Sequence, residues 1–155
     1  MTTTIELTVP VPPARVWELW TTPEGISAWW APDGFRTDVT TLELRPGGEL
    51  VYTMTAVAPE QIAFMEQNGM PLATRSVKYF DEIDEPARLS YRSVIDFVPD
   101  HEPYEHLTVV ELDPTATGTR VVMRVEAMHD EVWTARLVGG RRNELANLAA
   151  LVASE

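Results

Sequence analysis

The sequence predicts an α+β fold: a curved antiparallel sheet of about six to seven strands packed around a long C-terminal helix, with two short helices after the first strand. Three observations lead there. Most of the chain alternates apolar and polar residues in short runs separated by turn residues. Prolines interrupt that rhythm directly after the first run. From Asp130 onward the period changes from two to the helical 3.6. Consecutive strands with short connections favour antiparallel pairing, and helices kept apart from such a sheet define the α+β class.

Taken in order, Ile5, Leu7 and Val9 alternate with Thr4, Glu6 and Thr8, a half-buried strand. Pro10, Pro12 and Pro13 end it, and a proline suits a first helical turn. A helix over about Pro13 to Trp20 puts Val16, Trp17 and Trp20 on one side. Thr22-Pro23-Glu24 opens a second short helix that runs to Trp29-Trp30 and stops before Pro32. Phe35 to Leu44 reads as a strand, Arg45-Pro46-Gly47-Gly48 as a turn, and Leu50, Tyr52 and Met54 mark the return strand. Pro59 to Asn68 breaks the alternation and is read as a short helix stopped by Gly69. Its apolar residues Ile62 and Met65 share one face while Phe64 points elsewhere, so it is read as a satellite core, a lid or a homodimer contact.

Ala73 to Ile83, Leu89 to Phe97 and Tyr104 to Leu112 are further strands. Asp113-Pro114 and Thr117-Gly118 turn the chain into the clearest alternation, Val121, Met123 and Val125 against Arg120, Arg124 and Glu126. The last helix, about Asp130 to Val152, carries Trp133, Leu137, Leu145, Leu148, Leu151 and Val152 as its apolar stripe, with Asp130 as N-cap.

The 155 residues suit one domain, 1–155, and no repeat or linker divides them. Hydrophobic residues make up 45% and charged residues 23%, which argues against disorder. A formal charge of −12 repels phosphate backbones and anionic headgroups, so nucleic acid is not an expected partner. No apolar run approaches the roughly 20 residues of a membrane span, and no leader pattern opens the chain. Membrane insertion is therefore not expected, and the cytoplasm is the expected location. The absence of cysteine excludes disulfides and thiolate chemistry.

The order and spacing of several segments resemble a known family. They are Pro13-Ala14-Arg15-Val16-Trp17, Thr22-Pro23-Glu24 leading to Trp29-Trp30-Ala31-Pro32, Arg45-Pro46-Gly47-Gly48, Gly118-Thr119, and a last helix with Gly140, Leu145 and Leu148. Together they resemble the START-like, or helix-grip, superfamily, in the branch homologous to the activator of Hsp90 ATPase. The resemblance spans nearly the whole chain. It implies a sheet gripping the last helix around an apolar cavity, and it implies relatives that include lipid and hormone carriers, aromatic cyclases and a co-chaperone domain. Where the family's last helix reads Gly-Trp, this chain reads Gly140-Arg141.

No catalytic fingerprint, cofactor motif or metal-ligand spacing is present. The candidate site is therefore a set of cavity-facing residues: Trp30, Tyr52, Met54, Tyr79, Tyr91, His106, Met123, Trp133, Leu137 and Arg141. Strand parity puts His106, Thr108, Val110 and Leu112 inside, because the other face would bury Glu105 and Glu111. There His106 is either a satisfied histidine or a ligand contact and general base. The tyrosines supply apolar walls with one polar tip. His129-Asp130-Glu131 is read as helix capping rather than a metal site. Arg141 falls on the stripe of the last helix, and a buried guanidinium requires a partner. It can lay its stem on the core and reach water, pair with Glu111 or Glu144, or hold an anionic ligand group. The expected function is binding of a small apolar or aromatic molecule, as carrier, sensor or cyclase-like enzyme. The alternative is a co-chaperone-like protein-interaction module.

Overall fold

The computed structural model describes residues 2–155. Strand β1 (Thr2–Val9) is followed by helices α1 (Pro13–Thr21) and α2 (Pro23–Trp29), then by β2 (Phe35–Leu42) and β3 (Glu49–Ala56). After α3 (Pro59–Gln67) come β4 (Ala73–Asp84), β5 (Arg88–Ile95), β6 (Tyr104–Pro114) and β7 (Thr119–Glu126), and α4 (Glu131–Val152) ends the fold. The strands form one fully antiparallel sheet in the order β1-β7-β6-β5-β4-β3-β2. The α+β class, the seven strands and the long last helix agree with the sequence reading. No described helix is long and apolar enough to cross a membrane.

Local chemistry explains the breaks. Pro13 and Pro23 each occupy a first helical turn, where a missing N–H costs nothing. The Thr22 hydroxyl accepts from Gly25 N at 3.0 Å, and the Asp130 carboxylate accepts from Trp133 N at 2.8 Å. These are N-caps of the expected kind. In the β2–β3 turn Gly47 has φ of 80°, and a Cβ on Gly48 would lie 2.0 Å from the Glu43 carbonyl oxygen. Only glycine closes that turn. Register shifts between Val39 and Thr41 and between Phe80 and Ile83 mark bulges, which bend the strands that carry them.

Alternation decides which face is inward. Leu89, Tyr91, Ser93 and Ile95 on β5, and His106, Thr108, Val110 and Leu112 on β6, are all buried. The rule ends with the strand: Phe97, the last residue of the strand expected over Leu89 to Phe97, lies beyond β5 and is 59% exposed. The core joins this face to Val16, Trp17 and Trp20 of α1, Ile26 and Trp29 of α2, and Leu145, Leu148 and Val152 of α4. Trp20 and Trp29 meet edge to face at 4.7 Å, and Trp29 Nε1 donates to the Leu19 carbonyl at 2.8 Å. Asn147 of α4 donates to the carbonyls of Trp29 and Ala31, which ties the helix to the end of α2. The α4 backbone comes close to β1 and α2 and stands off from the middle strands, so long side chains fill the space between.

Gly139 and Gly140 sit in the middle of α4, where an added Cβ would meet nothing within 4 Å. The glycine pair is therefore not required for close packing. Gly140→Ala is expected to stabilise the protein by up to about 1 kcal/mol through helix propensity. Thermal denaturation checks this; a lowered midpoint would mean that the helix needs glycine here.

Candidate functional site

The centre of the inward face is polar. Leu50 of β3 stands opposite Lys78 of β4, Lys78 opposite Ser93 of β5, and Ser93 opposite His106 of β6. This makes one row across four strands, all of it buried. Lys78 is only 5% exposed. Its ammonium donates to Ser93 Oγ at 2.8 Å and lies 5.6–5.7 Å from the ring centroids of Trp30, Tyr52 and Tyr91. These are three cation–π contacts near the outer limit of the range. The rings also pack on one another: Trp30 meets Tyr52 edge to face at 5.3 Å and Tyr91 at 6.1 Å.

Arg141 enters the same interior from α4. It is 6% exposed, and its Nη1 donates to the Glu144 carboxylate at 3.0 Å. Of the three arrangements the sequence left open for Arg141, the structure contains the internal pair with Glu144. Glu111, the other candidate acid, is engaged by Arg88 and Arg124 on the outer face. Burial is the largest influence and opposes the Arg141 charge, but Glu144, by charge and by hydrogen bond, together with Tyr91 and Tyr52 outweighs it and holds the guanidinium protonated.

The same surroundings act on the other titratable groups. Burial, then the Arg141 charge, pull the Lys78 amine down to about 7, with Glu144 partly opposing them. Lys78 is thus half-neutral near neutral pH, unlike a surface lysine. Burial pushes the Tyr91 phenol up to about 12 and raises that of Tyr52 as well, so both stay protonated. Burial also lowers His106, against the pull of its bond to the Glu126 carbonyl. A carbonyl can only accept, so His106 Nε2 carries the proton and Nδ1 is left as a bare acceptor.

Several buried polar atoms here have no partner among the described residues: Trp30 Nε1, His106 Nδ1, Thr108 Oγ1 and Arg141 Nε. Such atoms are few in folded proteins, and a cluster of them calls for an explanation.

The sequence-derived site is thus partly assembled. Trp30, Tyr52 and Tyr91 converge on Lys78, and His106 and Met123 lie buried on the same face. Met54 is half-buried and packs on the core edge. Tyr79 is a correction. Its neighbours Lys78 and Phe80 are buried, and its own row, Glu49–Tyr79–Arg92, lies on the other face, so Tyr79 points away from the interior. Trp133 and Leu137 sit at one end of α4, where with Phe97, Ile95, Met128 and Arg136 they border a hollow of about 210 Å³. A larger hollow of about 640 Å³ lies on the other side of α4, bordered by Thr3, Met128, Thr134, Val138 and Arg142. None of the cavity-facing candidates from the sequence borders that larger hollow, although Asp130, expected and found as the α4 N-cap, does. Near this end the Tyr104 hydroxyl and His129 Nδ1 share a hydrogen bond at 2.7 Å. Among the described residues no group of three or more metal-ligating side chains converges.

Lys78 was missed, whereas Glu144 was foreseen as one of two candidate partners of Arg141. In β4 both parities read as half-apolar, Ser76-Lys78-Phe80 against Val77-Tyr79-Asp81, and the aromatic Tyr79 favoured the wrong one. The available signal was cross-strand: Phe80 faces Tyr91, whose inward direction was legible.

The family model described as "Activator of Hsp90 ATPase homolog 1-like protein" matches residues 10–153. Among solved structures, a Chromobacterium violaceum protein is similar with a TM-score of 0.78 at 22% identity, covering 98% of this chain and 97% of its own. The AHSA1-like protein from Aeromonas hydrophila is similar with a TM-score of 0.76 at 21% identity, covering 99% and 93%. The AHSA1 protein from Silicibacter pomeroyi has a TM-score of 0.74 at 16% identity, covering 99% and 98%. At these identities the likeness is one of fold. No curated protein matches the chain.

Proposed function

Because the chain belongs to the activator of Hsp90 ATPase homolog 1-like family, within the START-like group whose members commonly bind hydrophobic ligands, we propose that its interior binds a small hydrophobic or aromatic molecule against Trp30, Tyr52 and Tyr91. One observation carries this reading. Trp30 Nε1, His106 Nδ1, Thr108 Oγ1 and Arg141 Nε are buried on the helix-facing side of the sheet with unused hydrogen-bonding capacity. A core built for stability alone would be cheaper with apolar residues there. Binding sites characteristically combine apolar walls with a few such convergent polar groups.

The test is titration with a neutral fluorescent probe, N-phenyl-naphthylamine, followed by backbone chemical shifts. Saturable binding at one site is expected, with shifts concentrated at Tyr52, Lys78, Tyr91 and His106. Non-saturable binding, or shifts confined to the outer face of the sheet, would overturn the reading.

A further inference from the structure

Among the described residues the interior holds two buried cations, Lys78 and Arg141, and one half-buried acid, Glu144. Glu144 balances Arg141. Lys78 has no acidic partner among the described residues, and its ammonium, with three N–H donors, has one hydrogen-bond acceptor, Ser93 Oγ. Arg141 Nε is also buried without an acceptor. The Ser93 hydroxyl accepts from Lys78 and so keeps its own proton to donate. The unmet donors thus outnumber the bare acceptor His106 Nδ1, and the protonated cluster carries one uncompensated positive charge. A group with two lone-pair-rich oxygens and a single negative charge answers both deficits. A phosphate does not, since its second charge would face Glu144 unbalanced.

We propose that this interior takes an aromatic carboxylate, its carboxylate held by the Lys78 ammonium and the Arg141 guanidinium and its ring against Trp30, Tyr52 and Tyr91. The proposal rests on the small-ligand reading above and narrows it to a chemical class. Recognition has a proton in it. The groups facing Lys78 are Tyr52 of β3, Tyr91 of β5, His106 of β6, and Arg141 and Glu144 of α4. Of these only Glu144 is a carboxylate, and burial with Arg141 leaves the Lys78 amine half-neutral at about 7. A carboxylate beside it restores the ammonium, so binding draws a proton from solution. The chain as a whole carries −12, so its surface offers no steering to an acid. The preference therefore arises inside.

Calorimetry with two matched pairs, naphthoate with naphthamide and benzoate with benzamide, tests this in buffers of different ionisation enthalpy. The acid of a pair is expected to bind about tenfold to a hundredfold more tightly than its amide. Its binding is expected to take up about half a proton near pH 7, rising toward one at about pH 9. Lys78→Met and Arg141→Met are expected to bind acid and amide equally. If either variant fails to fold, the acid-to-amide ratio and the proton uptake of the unaltered protein decide. Equal affinities without proton uptake overturn the carboxylate while leaving the small-ligand reading standing. No binding of either member of either pair, nor of the neutral probe, overturns both.

Discussion

Lys78→Met is expected to raise the stability of the protein, most strongly below about pH 7 and progressively less toward pH 10.5. Methionine has nearly the length of lysine and leaves the packing against Trp30, Tyr52 and Tyr91 in place. What it removes is a buried charge. The sign follows from proton counting. The folded amine sits at about 7 and the ordinary one at 10.5, so between those values the unfolded chain binds more protons and native stability climbs with pH. Below about 7 both states are protonated and the whole penalty is present. Each tenfold change in proton affinity is about 1.4 kcal/mol, which bounds the gain at about 5 kcal/mol. Urea denaturation across this range measures it. A gain independent of pH, or a loss at every pH, would mean that Lys78 keeps its proton in the folded state and has found a partner.

Glu144→Gln is expected to have the opposite effect, a loss of roughly 3–5 kcal/mol. Arg141 cannot shed its charge, and at 6% exposure it cannot reach water without moving α4. Its carboxylate partner at 3.0 Å is what makes the burial tolerable. At about 2–4 °C per kcal/mol for a chain of this size, the melting temperature falls on the order of 10 °C. The double replacement Glu144→Gln with Arg141→Met is expected to recover most of that loss, because the orphaned charge is gone. A loss under about 1 kcal/mol in the single variant would show that the guanidinium snorkels out. Loss of Glu144 also removes the one negative neighbour that supports the Lys78 ammonium, so in this variant Lys78 titrates still lower.

The parts legible in the sequence were those set by local rules. Parity on β6 placed His106 and Thr108 inward because the opposite choice would bury Glu105 and Glu111, and both inward residues are buried. Asp130 was recognisable as a cap because helix N-termini need an acceptor, and it accepts from Trp133 N. The parts not legible depended on register. Lys78 becomes part of a site only when β4 is aligned to β5 and Phe80 faces Tyr91; shifted by one residue, Tyr79 would point inward instead. The Arg141–Glu144 pair is an i,i+3 neighbour on one helix, and such spacing was visible. What sequence alone could not supply was that the helix turns this pair inward rather than to solvent.

The long helix α4 has one further consequence. Its buried residues, Arg141, Leu145, Leu148 and Val152, all follow the Gly139-Gly140 pair. The turns before the pair bury no side chain fully, Leu137 and Val138 being half-buried, and are flanked by a hollow on either side. One continuous hydrogen-bonded rod therefore joins an anchored half to a loosely held one. Backbone amides in the first two turns should exchange with solvent through local fraying, and those after Arg141 only when the whole protein opens. Transient release of the first half would uncover the interior from the end where Trp133 and Leu137 sit, with the sheet undisturbed. The folding equilibrium and the frequency with which the interior meets solvent are then governed by different residues, so either could be altered by mutation while the other is left as it is.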